Sequence, residues 1–201
     1  KMTKAEGDVA GTPFEDLTPE QVRHLQKDHA MGWLIADHDA HGNNTLRLKD
    51  GKLLAIDRGG AFLNLGKDFL DLDTHFSPNK YIRPYFRDGF RRYAHGEHDN
   101  HVYGPRENKD LAAFLKRVED MPENEYLDAL SPYIEHARKK GNFRGDLKEA
   151  EFTSTLLKRK ASVRKDITDF YDAADRVRAG KSQVKKPPIG DHAPTSEVPP
   201  L

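Results

Sequence analysis

The amino-acid sequence predicts a mainly helical α+β fold that contains one small β-hairpin. Apolar residues recur at helical spacing over most of the chain, and two short apolar runs flank an Asp50–Gly51 turn. The segment 181–201 is rich in proline and poor in large apolar side chains. We therefore expect a lead-in segment at 1–17, a helical domain at 18–180 whose hairpin occupies 37–60, and a disordered tail or linker at 181–201.

Composition excludes several classes of protein. The 33 Lys and Arg residues balance the 33 Asp and Glu residues, so there is no global field for nucleic acid, and we expect no nucleic-acid partner. The chain has no cysteine, which excludes disulfides and thiolate chemistry. No apolar run approaches the ~20 residues that span a bilayer, and the first residues lack a signal-peptide core. We expect a cytoplasmic protein without a transmembrane segment, and the start at Lys1 fits an excised fragment.

The first helix has a clear beginning. Thr18 is a good N-cap, Pro19 suits the first helical position, and Gln21 completes a capping box. A helical stripe then continues to about Ala36, and we interpret Trp33, the only tryptophan, as a core residue.

The second half of the chain is predicted to be helical with a few breaks. An aromatic, amphipathic helix is expected from Asn79 to about Tyr93, with Pro84 at a boundary or kink. A histidine-rich loop follows at 95–106. The remaining helices are expected from Leu111 to near Pro122, from Tyr126 to Gly141 with an irregularity at Pro132, and from an Asp146 cap to Gly180.

The hairpin brings together residue types that bind Mg²⁺. The predicted strands are Thr45–Leu48 and Leu53–Ile56, so Asn44 and Asp57 lie at the same end of an antiparallel pair. Mg²⁺ prefers oxygen ligands, typically one or two carboxylates with carboxamide, phosphate and water oxygens. This end of the hairpin is therefore a candidate Mg²⁺-nucleotide site.

The loop before the first strand adds two candidate catalytic side chains. Asp39 lies five residues before Asn44 and can reach over the same site to orient an acceptor hydroxyl. His41 lies between them and can hydrogen-bond a phosphate or assist proton transfer.

These residues resemble a known family. Asp39-Ala40-His41-Gly42-Asn43-Asn44, followed by residues 49–59, is similar to the catalytic and metal-binding loops of phosphatidylinositol 3- and 4-kinases and their protein-kinase relatives, including actin-fragmin kinase. The family pattern is Asp-Arg-His-x-x-Asn, a hairpin with an acidic-Gly turn, and Ile-Asp-Phe-Gly.

The resemblance implies the C-terminal lobe of a kinase that uses ATP and Mg²⁺. Asp39 would be the catalytic aspartate and His41 the catalytic-loop histidine. Asn44 and Asp57 would be the Mg²⁺ ligands, and Gly59 would belong with them to the cofactor-binding segment.

The chain departs from the family in three ways. Ala40 replaces the Arg of the catalytic loop, and Arg58 replaces the Phe after the metal-binding aspartate; either change could loosen the metal loop. The residues before the motif are too few for the small β-rich lobe, so we expect an upstream or partner small lobe. Residues 58–78 contain only Arg58 and Lys67 as bases against three aspartates, which favours a protein substrate over a phosphoinositide.

Other interpretations stay open. The main alternative is a noncatalytic, pseudokinase-like helical interaction domain. Asp37, Asp39 and Gly42 also follow part of an EF-hand pattern, although position twelve is Leu48 in place of Glu. Two further patterns are weaker: a His-x-x-His-x-x-His zinc motif at His95, His98 and His101, and a basic patch at Lys158–Lys165, which is more often a solvated helix face.

Overall fold

The structure, a computed structural model, describes residues 7–9, 17–37, 44–56, 58–62, 65–66, 68, 70, 93–94, 96, 105–140 and 149–180. Within these ranges the chain is mainly helical with a small antiparallel sheet, as the sequence predicts. The elements in chain order are β1 Gly7–Val9, α1 Pro19–Leu34, β2 Thr45–Leu48, β3 Leu53–Ala55, α2 Lys109–Asp120, α3 Glu123–Lys140 and α4 Glu149–Arg178.

The predicted capping box of α1 is confirmed. The Thr18 hydroxyl accepts a hydrogen bond from the Gln21 backbone N–H at 3.2 Å, and the Gln21 side-chain oxygen accepts one from the Thr18 N–H at 3.0 Å. Two of the free N–H groups at the helix start are satisfied in this way. The helix ends at Leu34, two residues before the expected end.

The predicted hairpin is also confirmed, with a second strand one residue shorter than expected. β2 pairs with β3 in the register Thr45 opposite Ala55, and Gly51 supplies the positive φ of the turn, +82°. The Gln21 carboxamide donates to the Gly51 carbonyl at 2.8 Å, which attaches the turn to the first turn of α1.

The lead-in segment contributes a strand that the sequence does not predict. β1 pairs antiparallel with β2, Gly7 opposite Leu48 and Val9 opposite Leu46, so the sheet has the order β1-β2-β3. A three-residue strand is too short to show a period, and its pairing depends on a partner far along the chain. The small, turn-rich composition of residues 1–17 therefore gave no signal for it.

The core lies between α4 and the two helices that pack on it, α1 and α2. The predicted stripe of α4 is buried, except that its last member, Val177, is only partly buried. Trp33 is buried as predicted. The stripe residues with less than a tenth of their surface exposed are Phe152, Leu156, Val163, Ile167, Phe170 and Ala174.

The basic segment at Lys158–Lys165 is neither an anion patch nor a uniformly solvated face. Arg159 and Lys160 are buried, each 6% exposed. The Lys160 ammonium donates to the Glu119 carbonyl at 2.8 Å, in the last turn of α2, where a cation complements the helix dipole. These two bases therefore stabilise helix packing.

Several expectations fall on residues outside the described ranges. They include the aromatic helix at 79–93 except for Tyr93, which is described and buried, the histidines of the possible zinc motif, the Asp146 cap and the tail. Pro132 lies inside α3, which continues to Lys140. Among the described residues, no helix is both long enough and apolar enough to cross a bilayer.

Candidate functional site

Asn44 is fixed at the open end of the hairpin, directly before β2. Its backbone carbonyl accepts a hydrogen bond from the Ile56 N–H at 2.7 Å, one step beyond the β2–β3 register. Asn44 is partly exposed. Because Ile56 is covalently joined to Asp57, this bond ties Asn44 to the residue next to the second candidate ligand.

The end of α1 has a geometry that places Asp37 at the start of the candidate catalytic loop. The Ala36 N–H donates to the Trp33 carbonyl at 3.2 Å, and the Asp37 N–H donates to the Gly32 carbonyl at 2.9 Å. Ala36 has a left-handed φ of 50°. This is the Schellman arrangement, with alanine at the position that glycine usually fills. The reversal turns the chain out of the helix and fixes Asp37, which is buried.

Arg58 joins the two halves of the motif. One of its guanidinium nitrogens, Nη1, donates to the Asp37 carboxylate at 2.9 Å, and the other, Nη2, pairs with the Asp28 carboxylate on α1. The exposed fractions of the side chains are 14% for Arg58, 15% for Asp28 and 2% for Asp37. We call these three residues the Arg58 cluster. It connects α1, the beginning of the catalytic loop and the residue after Asp57.

Burial and charge act in opposite directions on Asp28. Burial raises the pKa of the Asp28 carboxyl above its ordinary value, and the neighbouring Arg58 guanidinium opposes that increase.

The segment after Arg58 is attached to the helical core at further points. The Phe62 N–H donates to the Ile35 carbonyl at 2.7 Å, and the Phe62 ring packs edge-on against Phe152 of α4 at 5.3 Å between centroids. Phe62 holds a left-handed φ of 68°, an uncommon conformation for a bulky residue. These contacts hold the turn that follows Arg58 against α1 and α4.

A buried ion pair holds the same segment farther along. The Arg159 guanidinium of α4 pairs with both oxygens of the Asp68 carboxylate and donates to the Trp33 carbonyl at 2.6 Å. Arg159 also stacks over the Trp33 ring, 4.0 Å from its centroid. The Arg159 side chain is 6% exposed and the Asp68 side chain is 0% exposed. One guanidinium therefore ties the segment after the motif to the end of α1.

The sequence-predicted site residues divide into two groups. Asn44 and Gly59 are described, whereas Asp39, His41 and Asp57 lie outside the described residues. Gly59 is in an exposed turn, and its backbone is not in the left-handed region, so its conformation does not by itself require glycine. No group of three or more His, Asp or Glu side chains within the described ranges could hold a metal ion. The two proposed ligands, a carboxamide and a carboxylate, nevertheless have the hard oxygen donors that Mg²⁺ prefers.

Sequence reasoning missed Asp28 and Asp37 as members of the site and treated Arg58 as a loosening substitution. Asp28 lies three residues after Leu25 on the apolar stripe of α1, and an acid at such a position signals a buried partner. This pattern does not indicate that the partner is Arg58, which lies 30 residues away in the sequence.

The calcium-loop interpretation does not fit the structure. Asp37, its first ligand position, is committed to the buried ion pair with Arg58. Leu48, its last position, is the final residue of a β-strand that pairs with β1. An EF-hand loop needs both positions for the ion.

A separate cavity lies at the opposite end of the hairpin from Asn44. Its volume is about 530 Å³, and it is enclosed by the first half of α1 and the turn at 50–53. Most of its lining residues are polar or charged, with His24 of α1 and Asp110 of α2 among them, and partial burial lowers the pKa of the His24 imidazole. The turn-end cavity is therefore distinct from the candidate Mg²⁺ site.

Comparison of the chain with protein-family models, with curated proteins and with solved structures finds no match.

Proposed function

We propose that this chain is the larger lobe of an ATP- and Mg²⁺-dependent phosphotransferase that phosphorylates a hydroxyl acceptor. The observation that carries the proposal is the linkage of the two motif halves. The Asn44–Ile56 backbone bond and the Arg58–Asp37 ion pair each join the catalytic-loop segment to the metal-loop segment. Asp39 is two residues from Asp37, and Asp57 is covalently joined to both Ile56 and Arg58.

Each candidate residue has a role that its chemistry supports. Asn44 and Asp57 would supply the carboxamide and carboxylate oxygens that hold Mg²⁺. When bound, ATP would supply the phosphoryl group that is transferred, and Mg²⁺ would offset the negative charge on the phosphate oxygens. Asp39 would accept the proton of the acceptor hydroxyl, and His41 would donate a hydrogen bond to a phosphate or assist that transfer. Gly59 leaves the turn after Asp57 open to the nucleotide.

The acceptor that we favour is a protein. A multiply anionic inositol headgroup needs a cluster of available bases. The sequence offers two bases after the metal loop, and Arg58 is already engaged by Asp28 and Asp37. Nucleotide binding from above would come from a small lobe in an upstream segment or another chain, and we place this activity in the cytoplasm, where ATP is abundant.

The alternative is a noncatalytic helical interaction domain. It is motivated by the replacement of the family's Phe by Arg58, which could loosen the metal loop, and by the missing small lobe. Because Arg58 forms two partly buried ion pairs, this substitution attaches the segment to α1 and Asp37 instead of freeing it. That observation favours the enzyme.

Thermal unfolding with and without Mg²⁺·ATP tests the proposal. A ligand that binds only the native state raises stability, and at 100 times its Kd the Tm should rise by roughly 5–10 °C. In the complete protein, Asp57→Ala should abolish the Mg²⁺-dependent part of the shift, because it removes a carboxylate ligand. Asp39→Asn should keep the shift and lose phosphotransfer.

The matched control is Asp50→Ala, which removes an exposed carboxylate from the other end of the same hairpin. It should behave like the unaltered protein. Absence of a Mg²⁺-dependent shift in the complete protein, or an equal shift in Asp57→Ala, would contradict the proposal.

A further inference from the structure

The Arg58 cluster has a composition that simple fold stabilisation does not require. One guanidinium faces two carboxylates that are both largely withdrawn from water. The three formal charges, −1 for Asp28, −1 for Asp37 and +1 for Arg58, sum to −1. Arg58 therefore places a positive charge next to Asp57 in the chain, but the cluster as a whole is net negative. A net positive cluster would repel Mg²⁺.

The positions of the three residues indicate what the cluster holds. Asp28 is inside α1, whose backbone is rigid, so it serves as a fixed anchor. Asp37 is two residues before Asp39, and Arg58 directly follows Asp57. The described anchors of the catalytic loop are thus the Arg58 cluster at its start and the Asn44–Ile56 bond at its end.

We infer that Arg58 is a positioning residue that, through its pairs with Asp28 and Asp37, fixes the described residues next to Asp57 and near Asp39, and thereby sets the affinity of the site for Mg²⁺. This inference rests on the proposed function. Only a forked guanidinium can donate to two different carboxylates from one planar group, so lysine is a poor substitute. Residues that orient metal ligands without touching the metal typically change its affinity by 10- to 100-fold when they are replaced.

Two substitutions of opposite charge separate positioning from a through-space effect. Arg58→Met removes a positive charge, whereas Asp37→Asn removes a negative charge and keeps a hydrogen-bond acceptor. Through-space electrostatics predicts that the first strengthens Mg²⁺ binding and the second weakens it. Positioning predicts that both weaken Mg²⁺ binding, because Arg58→Met removes the Arg58–Asp37 ion pair and Asp37→Asn reduces it to a weaker hydrogen bond.

The experiment measures the Mg²⁺ Kd by calorimetry at saturating ATP in the complete protein. Arg58→Met and Asp37→Asn should each raise the Kd about tenfold or more. The double variant should be no weaker than the worse single variant, since the two residues act as a unit. Arg58→Lys should fall between Arg58→Met and the unaltered protein. Lys52→Met, which breaks an exposed ion pair at the turn of the same hairpin, should leave the Kd unchanged.

Opposite effects of Arg58→Met and Asp37→Asn, or an unchanged Kd in both, would overturn the inference. A second measurement does not depend on metal binding. Amide hydrogen exchange of residues 38–43 in the nucleotide-free protein should be faster in Asp37→Asn and Arg58→Lys than in Lys52→Met. If the unaltered protein binds no Mg²⁺·ATP, the proposed function fails. Unchanged exchange at 38–43 would then show that the positioning role fails as well.

Discussion

His29 lies in the core beside α4, where a charged imidazole would be costly. Its ring packs against Phe170 at 5.2 Å and Tyr171 at 6.5 Å between centroids. Burial lowers the pKa of His29 from 6.5 to about 3. The folded protein therefore keeps this side chain neutral over a pH range in which the unfolded chain protonates it.

This difference predicts a loss of stability in mild acid. Below pH 6.5 the unfolded state binds a proton that the folded state excludes, so the free energy of unfolding falls as the pH falls from about 6.5 towards 3. Between pH 7.5 and 5 the contribution of His29 is about 2 kcal/mol. Urea unfolding at several pH values measures it.

The variant His29→Gln should remove that part of the pH dependence, whatever its effect at pH 7.5. His136→Gln, at an exposed position on α3, serves as the control and should keep the full dependence. If His29→Gln and the unaltered protein lose stability in parallel between pH 7.5 and 5, the assignment is wrong.

At the scale of elements, Arg159 is the main polar connection between α4 and the segment after the motif. A buried pair that loses one partner leaves an uncompensated charge, which costs about 3–5 kcal/mol. We expect Arg159→Met to destabilise the fold by about that amount, because the carboxylate side chain of Asp68 is fully buried. Chemical denaturation measures this change.

Lys165→Met supplies the matched control on the same helix. It breaks the Lys165–Asp169 pair, whose side chains are 77% and 59% exposed, and should leave the free energy of unfolding nearly unchanged. The double variant Arg159→Met/Asp68→Leu should lose less than the sum of its single variants. Full additivity would show that the pair is not coupled.

The helices of the core could be predicted from the sequence because helix formation is local. Each of three features depends on residues that are close together in the sequence: the Thr18 capping box, the Asp50–Gly51 turn and the α4 stripe. Even the burial of Arg159 and Lys160 leaves a trace. The stripe has a gap between Leu156 and Val163, and these two residues are the helical positions that fill it.

Contacts between distant segments could not be predicted in this way. The pairing of β1 with β2 joins residues about 40 apart, and the Arg58–Asp28 pair joins residues 30 apart. Neither shows a local pattern in a single sequence. For the same reason, the sequence suggests which side chains belong to the site but misses the cluster that links them.

At the scale of the whole molecule, α1 is the element on which the candidate site depends. Its first turn holds the hairpin turn through Gln21, its middle contributes Asp28, and its end directs Asp37 towards Arg58. Helix α1 also packs on α2 and α4. The described part of the candidate site is therefore attached to the helical core through α1.

The most direct test of the central claim, a Mg²⁺ site at Asn44 and Asp57, is paramagnetic broadening by Mn²⁺, which accepts similar oxygen ligands. Backbone amide resonances of the complete protein would be recorded during titration with Mn²⁺ in the presence of ATP. The account predicts broadening centred on Asn44, Ile56 and Arg58, with Lys52 at the opposite end of the hairpin little affected. Broadening that is centred elsewhere, or that persists unchanged in Asp57→Ala, would contradict it.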